Sequence, residues 1–400
     1  MKKYPLAIWI LSLGAFAIGM TEFVIMGLLP NIARDLNVTV SDAGQLITGY
    51  ALSVAIGGPI IVLATYKLPR KNLLILLMGI FIIGNGIGGI APSYGLLMLS
   101  RIVAALAHGS FFGIGSILAA NMVPPHKRAS AMALMFTGLT MSNIIGVPFG
   151  TFVGQIFGWK MTFIIISVLG LLTLIGIIKF VPNQKDTQPI SIKNELNVLK
   201  DVKLWLTLGV TLFGFSSVFA YFTYISQILT DVSHIEERWI SFVLIIFGVG
   251  VTFGNIIGGK LADWNLNRSL NIIFIVFPIY IFMMYFIQSN SLLMIVGIFV
   301  FGLIGFSMSP SLQFKSMVIS KDAPMLASTM NQSAFNIGNA LGAFIGGIVV
   351  SQLEVKDLAL VAPFLTLIGL IFFILERIVS KKEENSMSER LSSRAIPRQA

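Results

Sequence analysis

Cysteine is absent from this 400-residue chain. Its absence excludes disulfide cross-links, thiol nucleophiles and thiolate-bound metals. Histidine occurs three times and never in an HExxH pair, so no metal centre is expected. A GxxxxGK phosphate loop is missing too, which leaves no cradle for a nucleotide. Charged residues make up 11% of the chain, against about 25% in an average soluble domain, while hydrophobic residues reach 56%. An enzyme or a membrane sensor would need a catalytic constellation or a sizeable soluble module, and the sequence contains neither.

What the chain holds instead is a succession of apolar runs of about 20 residues or more, each able to cross a ~30 Å hydrocarbon layer. Bounded by Pro, Gly or charge, these runs predict twelve spans, near 5–30, 43–65, 73–92, 95–122, 129–156, 159–181, 204–229, 238–262, 269–288, 291–314, 326–351 and 358–379. The expected fold class is therefore an all-α integral membrane protein embedded in the lipid bilayer. The N-terminus, MKKYPLAIWILSLGAFAIGM, has the basic start of a signal peptide. Its apolar run is too long for one and passes through Glu22 to Pro30, as fits an uncleaved first span.

The net charge of +10 does not read as a nucleic-acid surface, because the basic residues form short clusters between apolar runs rather than a stripe with interleaved aromatics. With both termini cytoplasmic, 22 of the 27 Lys and Arg fall on inner segments, Arg34, Lys160, Arg238 and Lys356 fall outside, and only Arg101 lies within a span. That asymmetry predicts a multi-pass protein of the cell membrane with both ends inside.

The stretch VPNQKDTQPISIKNELNVLKDVKLW is the longest internal polar segment and divides the spans six and six. The expected organisation is an N-terminal six-helix half over 1–181, a cytoplasmic linker over 182–203 and a C-terminal six-helix half over 204–379. The Ser-rich, charged tail over 380–400 is expected to be disordered. The halves also resemble each other. GVPFGTFVG sets Gly146, Gly150 and Gly154 four apart, and GNALGAFIG sets Gly338, Gly342 and Gly346 likewise, at an offset of 192. Glycines at that spacing make a smooth helix face for close helix packing. Two repeated halves with a site near the midplane between them are how many secondary transporters are built.

Several motifs together resemble the major facilitator superfamily (MFS), and within it the twelve-span drug:proton antiporter family, in its arabinose-efflux-permease-like branch. GGKLADWNLNRSL is similar to the family's loop motif at Gly259, Asp263 and Arg268. The first-half copy, VLATYKLPRKNLL, keeps Arg70 and Lys71 but has Val62 and Tyr66 where Gly and Asp are expected. LSRIVAALAHGSFFGIG resembles the fourth-span motif with its membrane arginine, Arg101. GLTMSNIIGVPFGTFVG resembles the fifth-span exporter motif, retaining Pro148, and AFAIGMTEFVIMGLLPNIARDL resembles the first-span motif with its acidic residue. The resemblance implies two pseudo-symmetric six-helix halves, and a conformational role for Arg70, Lys71, Gly259, Asp263 and Arg268.

Ionisable groups inside a span are costly and mark ion or substrate pathways. Glu22 lies eight residues before Pro30 and Arg101 about six residues into the fourth span, so at ~1.5 Å per residue both sit at nearly the same depth below one surface. The family fold implies that these spans are neighbours on the central cavity, and a Glu22–Arg101 pair, direct or through water, is expected. His108, two turns beyond Arg101 on the same helix face, is a further candidate for proton coupling. Asn143, Tyr221, Tyr224 and Asn336 are candidates for lining a substrate cavity.

One membrane carboxylate, without an acidic cluster or carbonyl-rich helix breaks, favours protons over sodium as the driving ion. No cofactor is expected beyond the proton gradient. The sequence thus predicts a proton-coupled exporter of a small organic solute, such as a drug, a sugar or a related metabolite, working by alternating access as a monomer. Proton-linked uptake or facilitated transport of a sugar or nucleoside is the alternative.

Overall fold

The computed structural model describes residues 4–65, 68–124, 128–183, 198–320 and 324–394, and every regular element among them is helical. This follows from the composition, since a chain in hydrocarbon must satisfy its backbone N–H and C=O groups internally, which the helix does within each segment.

The first half comprises α1 (Leu6–Leu36), α2 (Val40–Ala64), α3 (Arg70–Ile90), α4 (Tyr94–Asn121), α5 (from Arg128 to Phe157) and α6 (Trp159–Phe180). The second comprises α7 (Val202–Val232), the paired α8 and α9 within Ile240–Ile287, α10 (Ser291–Ile319), α11 (Pro324–Gln352) and α12 (Leu358–Arg394). Ten of the described helical runs are long and apolar enough to cross a membrane. One of these is double: Ile240–Ile287 has 48 residues, or about 72 Å at helical rise, and its single non-helical residue, Asn265 (φ −165°, ψ 100°), separates α8 from α9. The 25-residue α2, about 37 Å long, is the remaining crossing.

Local chemistry sets the joints. Asn37 adopts the left-handed conformation (φ 52°) that closes α1, and its N–H bonds to the Ala33 carbonyl. Two residues on, Thr39 and Asp42 form a reciprocal capping box that starts α2. Within α5, Pro148 would clash with the carbonyl four residues earlier in a regular helix; the backbone widens to a π-helical turn over Ser142–Gly146 just before it.

Both glycine faces are packing faces, and they pack on equivalent neighbours. Gly146, Gly150 and Gly154 of α5 receive Phe16, Met20, Val24 and Leu28 of α1. In the second half, Gly338, Gly342 and Gly346 of α11 lie against the backbone of α7 at Leu212, Ser216 and Ala220. The α5–α1 and α11–α7 pairs are related by a shift of six helices, which is the internal symmetry in physical form.

The halves meet through hydrogen bonds gathered at one end, remote from the N-terminus. Ser41 donates to the Gly347 carbonyl (2.8 Å), Ser226 to Met26 (2.8 Å), and Asn31 to the Glu237 carboxylate (2.5 Å). Gln155 adds a bond to the Glu237 carbonyl at 2.9 Å. Nearer the centre, the Phe23 and Phe219 rings stack across the halves at 6.2 Å.

α12 runs on as helix to Arg394, through the first part of the tail segment 380–400. Most of the predicted linker, and Tyr66 of the first-half loop motif, lie outside the described residues.

Candidate functional site

Four helices of the first half bring polar groups together in an otherwise apolar interior: α1 supplies Thr21 and Glu22, α2 Tyr50, α3 Asn85, and α4 Arg101 and His108. All six are at most 5% exposed, with Glu22 at 3% and Arg101 at 1%. Each charge so placed costs several kcal/mol unless it finds partners.

Arg101 meets that cost in an unexpected way. Its Nη1 donates to the Thr21 carbonyl at 2.6 Å and lies 3.3 Å from the Thr21 hydroxyl, while its Cζ stands 4.0 Å from the centroid of the Tyr50 ring. Planar guanidinium over an aromatic face is a favourable cation–π arrangement, stronger when desolvated. The Thr21 hydroxyl in turn donates to Asn85 Oδ1 at 2.6 Å, and Asn85 Nδ2 donates to the Phe81 carbonyl at 2.9 Å.

The direct Glu22–Arg101 ion pair expected from the sequence does not form; among the described residues the basic side chain within ion-pair range of Glu22 is His108, with Nε2 3.9 Å from Oε2. The depth argument did bring Glu22 and Arg101 to neighbouring positions, because Arg101 bonds the residue preceding Glu22. The guanidinium turns instead to the Thr21 carbonyl and the Tyr50 ring. His108 Nδ1 is 3.1 Å from the Tyr50 hydroxyl. With Tyr50 donating to that nitrogen, Nε2 carries the N–H and faces the carboxylate. Glu22 Oε1, Arg101 Nε and Arg101 Nη2 are buried and have no hydrogen-bond partner. Carboxylate, imidazole and guanidinium thus share one enclosed site with unspent capacity on both signs.

The predicted cavity residues do not join this cluster. Asn143, in the π-helical turn, donates to Leu139 of its own helix at 3.1 Å. Tyr221 donates to Gln288 Oε1 (3.2 Å) and Tyr224 to the Ala343 carbonyl (3.0 Å), both bonds that tie helices of the second half together. Asn336 donates to Gln332 of its own helix at 2.9 Å, leaving its buried Oδ1 without a partner. Of the loop-motif residues, Lys71 donates to the Ile178 carbonyl at 2.9 Å, and Arg70 opens α3. Asp263 and Arg268 are both exposed, flank the Asn265 break, and make no ion pair with each other; Arg268 N–H instead caps onto Asn265 Oδ1 at 3.0 Å.

Sequence reading missed Tyr50, Thr21 and Asn85, which no charge or motif signals. It also missed a second buried ion pair. The count of one span carboxylate is corrected by Glu376, 1% exposed within α12 and 2.6 Å from Lys315 Nζ of α10. Lys315 also donates to Asn267 Oδ1 at 3.0 Å, and Ser380 donates to Glu376 Oε1 at 2.7 Å. An acidic residue within the apolar run 358–379 was the available signal.

The Major Facilitator Superfamily model matches residues 11–323 and 240–399. The chain belongs to this superfamily. Among relatives, the inner membrane transport protein YdhP of Escherichia coli K12 is 41% identical over 87% of this chain and 89% of its own length. The putative transporter AraJ of the same organism is 31% identical over 88% and 89%, in keeping with the arabinose-efflux-permease-like branch. A probable sugar efflux transporter of Haemophilus influenzae is 30% identical over 91% and 92%. In structure, the chain superposes with a TM-score of 0.76 on a bacterial homologue of the human lysosomal transporter Spinster in an inward-facing, occupied conformation, at 16% identity, covering 94% of this chain and 98% of the other. The twelve-helix MFS fold is the observed one. This MFS protein is a multi-pass membrane transporter of a small solute and not an enzyme.

Proposed function

We propose that the protein is a proton-coupled exporter of a small organic solute, with Glu22 as the proton carrier. The observation that carries this reading is the enclosed Glu22–His108–Arg101 site: a buried carboxylate with one free oxygen, an imidazole at 3.9 Å, and a neighbouring guanidinium with two idle nitrogens. The proton affinity of such a carboxylate depends on how near the guanidinium and the imidazole stand, so a small displacement of either partner changes it. The helix α1 that carries Glu22 also touches the second half, at Met26 and Phe23, so rocking of the halves shifts α1 against α4 and supplies that displacement. The hydrogen bonds between the halves gather at the end remote from the N-terminus, which matches closure towards the outside if the N-terminus is cytoplasmic.

Export proceeds when solute binds from the cytoplasm, the halves rock, solute leaves, and Glu22 takes a proton from outside before the return. The sugar-efflux relative and the fifth-span exporter motif support the outward direction and place sugars beside amphipathic drugs as the first solutes to test. The experiment uses inverted membrane vesicles with an imposed pH gradient, acid inside, and a panel of sugars, nucleosides and amphipathic drugs. An exporter accumulates its substrate in the vesicles as protons leave. Gradient-driven loss of substrate from preloaded vesicles would identify a symporter instead.

A further inference from the structure

At the end of the second half nearest its inner segments, α9 and α12 diverge to leave an open cleft of about 370 Å³. Its polar wall carries Arg268, Arg377 and Lys381 with Asn267 and Asn271, and no acidic residue lines it. Among the described residues none of the three cations has a carboxylate within ion-pair distance, although seven other ion pairs form elsewhere in the molecule. The reason is visible behind the cleft. Glu376, next to Arg377 in sequence, is turned inward and spent on Lys315, whose ammonium also occupies Asn267 Oδ1. Glu376 is therefore consumed by a buried lysine, and the cleft keeps three positive charges.

Its remaining wall is apolar and faces outward. Ile374 and Ile378, one turn apart on α12, are each 48% exposed, on the same helix as Arg377 and Lys381. A soluble anion has no use for that wall, while a lipid needs both parts: cations for its phosphate, and a branched aliphatic strip on which an acyl chain lies. Basic clefts between membrane helices at the charged leaflet are suited to anionic head groups. We infer that the α9–α12 cleft is a binding site for one anionic phospholipid of the inner leaflet, with its phosphate held by Arg268, Arg377 and Lys381 and an acyl chain along Ile374 and Ile378. Because Arg268 belongs to the segment that breaks at Asn265, and Arg377 to α12, a bound phosphate ties the α8–α9 joint to the last helix of the half. This site is separate from the Glu22 cluster and does not depend on the export reading.

The test is native mass spectrometry of the purified full chain titrated with phosphatidylglycerol or phosphatidylcholine. One phosphatidylglycerol is expected to persist at collision energies that strip phosphatidylcholine. At about fivefold per cation, the R268Q/R377Q/K381Q variant should bind it roughly a hundredfold more weakly, while R268K/R377K retains it. In parallel, a photoactivatable phosphatidylglycerol carried on its acyl chain should label the wild-type protein at the Ile374–Ile378 turn, which needs no variant to fold. Equal retention of the two lipids, unchanged affinity in the glutamine variant, or labelling spread evenly over the lipid-facing helices overturns the proposal. Displacement of the lipid by millimolar inorganic phosphate would assign the cleft to a free anion and equally overturn it.

Discussion

His108 Nε2 stands 3.9 Å from Glu22 Oε2, while Arg101, seven residues earlier on the same helix, points its guanidinium at the Thr21 carbonyl and the Tyr50 ring. The carboxylate is thus faced by an imidazole and only flanked by the permanent charge. An imidazole carries both a donor and an acceptor nitrogen, whereas a guanidinium only donates. This arrangement separates the roles of the two basic groups and sets the first two predictions.

Glu22→Gln keeps size and hydrogen bonding but removes titration. Uphill export should fall to background while counterflow exchange and substrate binding stay within a few fold of wild type, measured in proteoliposomes with and without a pH gradient. Gradient-driven export at the normal rate would remove Glu22 as the coupling group and leave His108 as the next residue to replace.

Arg101→Lys retains charge yet loses the planar contact with Tyr50 and the fork that reaches Thr21. Thermal stability should drop by about 1–3 kcal/mol, because a buried charge loses hydrogen bonding. Tyr50→Phe removes only the hydroxyl that bonds His108 and should cost about 1 kcal/mol, with the stacking on Arg101 intact. Melting curves in detergent distinguish the two; a larger loss in Tyr50→Phe would show that the His108 contact, not the arginine cradle, holds the site.

The Lys315–Glu376 pair gives an opposite pattern for single and double replacement. Glu376→Gln leaves a buried lysine uncompensated and should destabilise by about 3–5 kcal/mol, whereas Lys315→Met with Glu376→Leu should be near neutral or stabilising. If the single and double variants melt alike, the pair is not buried in the working protein.

The two glycine faces differ in what they meet, and alanine should reveal it. A Cβ on Gly342 would stand 2.8 Å from the Ala220 backbone nitrogen and 3.1 Å from the Phe219 carbonyl carbon. On Gly150 it would press on the side chains of Met20 and Val24 at 2.6 and 2.7 Å. Side chains yield where backbone does not, so Gly342→Ala should cost the upper part of the ~1–3 kcal/mol range for overpacking and Gly150→Ala the lower. Transport by both variants, normalised to protein in the membrane, should fall in the same order.

The exposed Asp263 makes no ion pair among the described residues, so Asp263→Asn should leave thermal stability within about 0.5 kcal/mol. A fall in turnover without a fall in stability would show that Asp263 acts in the other conformation, as its loop motif implies.

Hydropathy decided the helices before any fold existed. Runs such as 159–181 and 291–314 became Trp159–Phe180 and Ser291–Ile319 because a length of about 20 apolar residues is a local property, and lipid leaves the backbone no alternative to helix. The break between 262 and 269 was equally legible, since GGKLADWNLNRSL interrupts the apolar pattern where Asn265 leaves the helix. The glycine spacing announced close packing, because four-residue periodicity fixes one helix face by itself. Tertiary structure alone decided the partners. Arg101 and His108 share one face of α4, so which of them meets Glu22 depends on what else the packed helices offer: the Thr21 carbonyl and the Tyr50 ring take the guanidinium, and no spacing along the chain reports that. Lys315 and Glu376, 61 positions apart, show no relation along the chain; the bundle, in which α9 packs on both α10 and α12, brings them to 2.6 Å. Length and polarity add along the chain and can be read from it, but the pairing of buried charges is set by which side chains the packed helices bring within reach, and only the bundle determines that.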